Sequence, residues 1–522
     1  MQIREHALAT PDKPAVILYP SGTVVTFGEM EARANQLAHL FRQAGLREGD
    51  AVAMLMENNE HFHTVMWAAR RSGLYYVPIN THLTAAEAAY IIDNSAAKAI
   101  VGTAAMRPVL EGLAEHLPKG LPPLLITADG AASSATDTSS DLDGWLRYPE
   151  CVADQPVTPI DDEIEGDLLQ YSSGTTGRPK GIKRELPHLP PSEAPGLMTM
   201  LVSFWMNPEG VYLSPAPLYH TAPSVWSLTM QAAGIPVVVM EKFDAEGTLD
   251  AIARHGVTHG QFVPVMFTRM LKLPEAVRNS YDISSLERVM HAAAPCPVEI
   301  KKQMIDWWGP IVDEYYASSE AIGSTLISAE EWLAHPGSVG KPMVGNVHIL
   351  DEEGNELPPG QAGEIYFESN MSFEYLNDAE KTAASRHHTG WMTVGDIGYL
   401  DDDGYLYLTD RRHHMIISGG VNIYPQEAEN MLVTHPKVMD AAVFGIPDDE
   451  MGQSVKGVIQ LVDPADAGEE LAEELLVWLR DRLAHYKCPR TISFEAQLPR
   501  TDTGKLYKQE LITKYSAPTP AG

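Results

Sequence analysis

Between Tyr171 and Gly181 the chain reads Tyr-Ser-Ser-Gly-Thr-Thr-Gly-Arg-Pro-Lys-Gly, packing four Ser/Thr hydroxyls, three glycines and two cations into eleven residues. Glycine lets backbone approach phosphate oxygens, hydroxyls and amides donate to them, and a lysine balances their charge. The segment suits a triphosphate, with Ser172, Ser173, Gly174, Thr175, Thr176, Gly177 and Lys180 as its contacts. It is not a Walker A loop, because Gly181 follows Lys180 where that motif has Ser or Thr for Mg2+. A glycine- and serine-rich surface turn is the plainer alternative, but the Thr-Thr-Gly-x-Pro-Lys-Gly order is more constrained than loop composition requires.

This segment resembles the phosphate loop of the superfamily of adenylate-forming enzymes, which contains acyl-CoA synthetases, firefly-type luciferases and nonribosomal peptide adenylation domains. Further motifs follow in the family's order as far as Lys505, so the resemblance covers essentially the whole chain. In Asp313-Glu-Tyr-Tyr-Ala-Ser-Ser-Glu320, Tyr316 and Ser319-Glu320 are similar to the family's Tyr-Gly-x-Thr-Glu motif. The resemblance implies that Glu320 holds Mg2+ on the phosphates, a task that suits a carboxylate, and that Ser319 donates to the α-phosphate. Ala317 and Ser319 stand where the family has Gly and Thr, a departure that bears on the shape of the acyl pocket. Ala293-Ala294-Pro295 resembles the adenine-contact segment, and alone would be a nondescript turn. Trp391-Met-Thr-Val-Gly-Asp396 resembles the motif whose aspartate accepts from both ribose hydroxyls, as an acceptor-only side chain can. Asp410-Arg411 resembles the second ribose and phosphate contact.

Arg411 also opens a segment, through Glu427, similar to the family's hinge and the loop after it. His413 takes the hinge position where relatives carry Asp or Lys, and a histidine there titrates near neutrality. The adjacent His413-His414 pair lacks a third ligand at metal-site spacing, and His61 and His63 are set aside as a metal site on similar grounds. The resemblance implies that Gly419 and Gly420 let the pantetheine arm of CoA pass close to backbone; a tight turn is the alternative. Lys505, in Leu498-Pro-Arg-Thr-Asp-Thr-Gly-Lys-Leu506, matches the lysine that enters the active site during adenylation. Its ammonium would stabilise charge between the attacking carboxylate and the α-phosphate. Leu218-Tyr-His-Thr-Ala222 matches a segment lining the acyl pocket, so His220 is a candidate gate, with a buried, hydrogen-bonded histidine as the alternative. Val265, Met266, Ala317 and Gly323 complete the expected pocket.

These residues need elements to position them. Thr23 to Phe27 reads as a strand, followed by a helix with Met30, Ala34, Leu37 and Phe41 on one face and Gly45 as its stop. Ala51 to Met56, a helix to Gly73, and Tyr75 to Ile79 continue the pattern, which makes βαβ units over a parallel sheet. From Val339 to Asp410 short strands are separated by Asp351-Glu-Glu-Gly354 and Asp401-Asp-Asp-Gly404, tight-turn clusters that imply an antiparallel β subdomain. Strands near Ala441 to Ile446 and Val455 to Val462, and a helix with Leu471, Leu475, Trp478 and Leu483 in register, make a small α+β tail. Ala131 to Ser140, without apolar periodicity, reads as a mobile surface loop.

The expected fold is α/β. A large N-terminal domain, residues 1–412, carries parallel α/β subdomains and a β-barrel-like subdomain, and residues 413–522 form a small mobile C-terminal domain. At 522 residues the chain exceeds what one core covers. Apolar residues at 44% and charged residues at 21% fit a globular protein. A net charge of -32 disfavours nucleic acid and anionic lipid as partners. Three scattered cysteines argue against a disulfide framework or structural zinc and fit a reducing, cytoplasmic setting. No apolar run approaches the roughly 20 residues of a membrane helix, so no integral membrane contact is expected. A homodimer through the large domain stays open.

The resemblance implies an AMP-forming acyl-CoA synthetase that uses ATP, CoA and Mg2+ and acts on a fatty, aryl or polycyclic carboxylic acid. Two alternatives stay open: adenylation with transfer to a carrier protein or other acceptor, and a non-catalytic sensor of acyl or nucleotide ligands. The Ser418-Gly-Gly-Val-Asn-Ile-Tyr-Pro425 segment is closer to the CoA-ligase branch, and no carrier domain follows Lys505.

Overall fold

The computed structural model describes residues 3–131, 142–172, 179–193, 206–411, 415–418, 421–448, 451–500 and 506–516, the side chains of Asp410, Arg411 and Asn422 excepted. Two compact units divide the chain. One takes Met1–Gln261, Asn279–Arg288 and Ser372–Ala383; the other takes Phe262–Arg278, Val289–Met371 and Ala384–Gly522.

The first unit is built from alternating strands and helices, as the sequence pattern requires. Thr26 opens the helix Phe27–Gln43: its hydroxyl accepts from the Glu29 amide at 3.2 Å, and the Glu29 carboxylate accepts from the Thr26 amide at 3.1 Å. Such a cap is worth about 1 kcal/mol. Met30, Ala34, Leu37 and Phe41 are buried along one face, and Gly45 turns the chain away at φ 87°. The strand Ala51–Leu55, the helix Phe62–Arg71 and the strand Tyr75–Pro78 follow, the two strands running parallel. They belong to a six-stranded parallel sheet ordered Leu146–Arg147, Leu124–Thr127, Ala97–Gly102, Ala51–Leu55, Tyr75–Pro78 and Asp167–Leu168. Ala51–Leu55 and Tyr75–Pro78 are buried at every position, which is why they read as continuous apolar runs. A second group sets His259–Phe262, Tyr212–Ser214, Val237–Met240 and Pro14–Tyr19 in parallel, with Val24–Thr26 antiparallel at the edge. A third, antiparallel sheet orders Glu374–Tyr375, Lys180–Lys183 and Gln170–Ser172.

In the second unit Val312–Ala317 pairs parallel with Arg288–His291 and antiparallel with Ser324–Ile327. From there the order runs Ser338–Val344, Leu406–Arg411, Asp396–Leu400, Gly363–Glu368 and Asn346–Leu350, each strand antiparallel to the one before. This is the antiparallel subdomain expected from the turn clusters. The Asp401 carboxylate accepts from the Asp403 and Tyr405 amides at 3.0 and 2.8 Å, with Gly404 at φ 80°, and Asp351 with Gly354 repeats the device.

The tail joins Val438–Asp448 and Gly452–Leu461 as an antiparallel pair, with Thr491–Glu495 parallel on the far side. On the helix Glu469–Arg480 the buried stripe is Leu471, Leu475 and Leu479, each of which gains about 1.5–3 kcal/mol from burial. Trp478, expected on that stripe, is half-buried one position away, with the Arg482 guanidinium 3.6 Å above its ring. Leu483 packs partly buried against the same core. Of the loop expected from Ala131 to Ser140, residues 132–140 lie outside the described residues.

Candidate active site

The first unit carries Ser172, Lys180 and His220. Ser172 ends one strand and Lys180 begins the next, and the two are direct cross-strand partners. The segment between them is therefore flanked by a backbone-paired position on each side. Gly181 pairs with Tyr171, and a Cβ there would lie 2.9 Å from the Tyr171 ring, so glycine is required by the ring packed on it. The Tyr171 hydroxyl donates to Asn94 at 2.7 Å, and Arg184 grips Asp167 with two hydrogen bonds of 2.9 and 2.8 Å. Burial and then the Lys381 ammonium draw Lys180 below the ordinary lysine range, while Asp378 pulls it the other way. Ser173, Gly174, Thr175, Thr176 and Gly177 lie outside the described residues.

His220 is the N-cap residue of the helix Thr221–Ala232, with no side-chain capping bond, and its ring leans on Tyr219 at 4.6 Å between centroids. The backbone before it is held by Asn58, which sequence reasoning did not single out. The buried Asn58 amide donates to the carbonyls of Met240 at 2.8 Å and Ala216 at 3.3 Å and accepts from the Leu218 amide at 2.8 Å. Nothing in the local sequence marks it, since its partners lie about 160 to 180 residues away.

The second unit carries most of the remaining candidates. Tyr316 is near the end of Val312–Ala317 and Asp396 begins Asp396–Leu400. The Tyr316 hydroxyl donates to the Asp396 carboxylate at 2.7 Å, so two residues chosen from separate motifs share a hydrogen bond. Behind Tyr316 sits Phe367, 6.1 Å between ring centroids, and Phe367 occupies the space that Gly323 leaves open: a Cβ on Gly323 would meet its ring at 2.1 Å. Gly323 is therefore filled from behind by Phe367. Ser319 and Glu320 lie in the turn after the strand, Ser319 half-buried and Glu320 buried. The turn is closed by the Ala321 amide donating to Ser318 O at 3.1 Å, and the Ser369 hydroxyl pins Ile322 O at 2.6 Å. Ala317 is exposed.

Ala293, Ala294 and Pro295 form the turn between Arg288–His291 and the helix Val298–Trp308. Ala293 is exposed and sits at φ 74°, a left-handed conformation unusual for a residue with a side chain. Val265 and Met266 are on the helix Pro264–Leu271, where Met266 is buried and Val265 half-buried. Arg411 is the backbone partner of Asp396 across the Asp396–Leu400 and Leu406–Arg411 pair. His413, Gly419, Gly420 and Lys505 lie outside the described residues. Among the described residues no helix is long and apolar enough to cross a membrane.

A family model described as AMP-binding enzyme matches residues 3–375, and one described as AMP-binding enzyme C-terminal domain matches residues 427–505. The chain belongs to the AMP-binding enzyme family. Its place is in the acyl-CoA synthetase branch of the adenylate-forming superfamily. The enzyme is 30% identical to the long-chain-fatty-acid–CoA ligase FadD13 of Mycobacterium tuberculosis over 523 residues, 99% of this chain and 98% of that one. It is also 30% identical, over 519 residues, to the fatty acid–[acyl-carrier-protein] ligase ScoC of Streptomyces coeruleorubidus, covering 98% of this chain and 95% of that one. Its fold is similar to that of o-succinylbenzoate CoA synthetase (MenE) from Bacillus subtilis in complex with the acyl-adenylate intermediate OSB-AMP. The TM-score is 0.78 at 25% identity, with 98% of this chain and 97% of that chain covered.

Proposed function

We propose that the enzyme is an ATP-dependent acyl-CoA synthetase, an AMP-forming acid–thiol ligase. The observation that carries this reading is the Tyr316–Asp396 hydrogen bond, which unites two nucleotide motifs in a chain of the AMP-binding family. A substrate carboxylate oxygen attacks the α-phosphorus of ATP, the bond to the β-phosphate breaks, and pyrophosphate leaves. The CoA sulfur then attacks the acyl carbon, the C–S bond forms, the C–O bond breaks, AMP leaves, and the thiol proton passes to solvent.

The residues take roles their chemistry allows. Asp396, an acceptor-only carboxylate oriented by the Tyr316 hydroxyl, accepts from the ribose hydroxyls. Tyr316 and the Ala293-Ala294-Pro295 turn flank the adenine, and Arg411 reaches ribose and phosphate. Ser172 through Gly177, with Lys180, cradle the phosphates, and Ser319 donates to the α-phosphate. Glu320, a carboxylate in a buried turn, fits a hard cation that takes one or two protein oxygens and otherwise binds phosphates. When bound there, Mg2+ would neutralise phosphate charge. Lys505 stabilises the charge that builds as the carboxylate attacks.

Residues 1–412 act as the adenylation domain and 413–522 as the small domain. Rotation about His413 brings first Lys505 and then Gly419 and Gly420 to the reacting atoms. His220 gates the acyl pocket, with Val265, Met266, Ala317 and Gly323 on its walls. We place the enzyme in the cytoplasm, acting on small molecules without nucleic-acid or integral membrane partners. The relatives named above differ in acid and in acceptor, so the acid is a fatty, aryl or polycyclic carboxylate to be identified by assay.

The test is incubation with ATP, Mg2+, CoA and a panel of such acids, following pyrophosphate and acyl-CoA by mass. Acid-dependent formation of both supports the reading. Pyrophosphate without acyl-CoA would move the acceptor to a carrier protein, and neither product would favour a ligand sensor.

A further inference from the structure

The strand Arg288–His291 and the strand Val312–Ala317 lead into the two nucleotide segments of the second unit, and a cluster of buried ionisable groups joins them. Glu314 and His291 are direct partners in the parallel pair. Lys301, fully buried on the helix Val298–Trp308, reaches down to the Glu314 carboxylate at 2.8 Å. The same carboxylate oxygen lies 3.4 Å from His291 Nε2. Trp332 covers the Lys301 ammonium at 4.8 Å, and Phe267 meets the His291 ring edge-on at 5.4 Å. Burial lifts Glu314 above the usual carboxylate range against the pull of Lys301, and burial with Lys301 beside it holds His291 neutral.

Stability does not explain such a cluster. A buried ion pair roughly breaks even against well-packed apolar residues, because desolvation offsets the attraction. What it supplies is direction: one carboxylate fixes the helix to the sheet at a single register. The turn from residue 292 to 297 links His291 to that helix, and within it Ala293 holds φ 74°, a conformation that costs about 1–2 kcal/mol and persists only where the surroundings impose it. Two residues beyond Glu314 stands Tyr316, with its hydroxyl on Asp396.

We propose that Lys301 and Glu314, with His291 beside them, are positioning residues for the nucleotide: their buried ion pair holds the Ala293-Ala294-Pro295 turn and the Tyr316 strand end in the spacing that adenine and ribose require. The inference rests on the nucleotide roles assigned above. It predicts that charge at this site serves binding of the nucleotide and not survival of the fold.

The experiment pairs calorimetric titration of AMP with thermal unfolding for the wild type, for Lys301→Met combined with Glu314→Leu, and for Glu314→Gln. The double substitution removes both charges together, so its melting temperature should equal or exceed that of the wild type. Its AMP dissociation constant should rise about tenfold or more, and the KM for ATP with it, because loosened positioning is expensive at a reacting site. A folded double variant that binds AMP as the wild type does overturns the proposal. If that variant does not fold, Glu314→Gln decides: about threefold or greater weakening supports the proposal, and unchanged affinity overturns it. A wild type that binds AMP but makes no acyl-CoA removes only the synthetase reading, because AMP titration still judges the positioning. A wild type that does not bind AMP removes both.

Discussion

Tyr316 and Asp396 are 80 residues apart in sequence and 2.7 Å apart across a hydroxyl–carboxylate hydrogen bond. The strands that present them are not neighbours, and Phe367, packed on Gly323, backs the tyrosine ring. The bond orients the carboxylate to which the proposal above assigns the ribose hydroxyls.

Tyr316→Phe keeps the ring and deletes the donor. A hydrogen bond to a charged group is worth about 1.5–3 kcal/mol, so loss of Asp396 orientation should raise the KM for ATP by about tenfold or more. Steady-state kinetics with ATP varied checks this: kcat at saturating ATP should change little, and an unchanged KM would separate the pair from nucleotide binding.

Gly323→Ala should destabilise the second unit. The new methyl would meet the Phe367 ring at 2.1 Å, and overpacking of this kind costs about 1–3 kcal/mol. Thermal unfolding should show a lower melting temperature, and Phe367→Leu in the same chain should recover part of it. Equal melting of Gly323→Ala and wild type would mean that the ring moves aside freely.

Much of this was legible in the sequence, for identifiable reasons. Met30, Ala34, Leu37 and Phe41 reveal a helix because a single buried face imposes its period on the residues that fill it. Asp401 and Gly404 reveal a hairpin because the aspartate caps the turn locally and the glycine tolerates its positive φ. Trp478 misled because a large ring four-fifths of the way along a leucine-rich helix fits the stripe as well as Leu479 does, and only packing decides between neighbours. Asn58, Lys301 and Glu314 were invisible for a different reason. Each acts on a partner in another element, and a polar residue reads as solvent-facing until the layer that covers it is known.

His63 gives the fold a specific acid sensitivity. Burial alone takes its pKa from 6.5 down to about 3, so the folded chain keeps it neutral. Below pH 6.5 the unfolded chain takes up a proton that the folded chain refuses. The contribution is therefore complete above pH 6.5 and is lost, at about 1.4 kcal/mol per unit, as pH falls toward 3. Urea unfolding from pH 7 to pH 5 should show a shallower fall in stability for His63→Leu than for the wild type. Parallel curves would show that water or a partner reaches the ring.

Attack of a carboxylate on the α-phosphorus transfers an oxygen atom that can be followed. With an accepted acid labelled with 18O in its carboxylate, the account predicts AMP carrying one 18O atom and unlabelled pyrophosphate, together with acyl-CoA. Lys505→Ala should slow this transfer by about 10²–10³-fold, the scale of removing one charge-stabilising donor. Label in inorganic phosphate with release of ADP, or acyl-CoA formed without label in AMP, would contradict it.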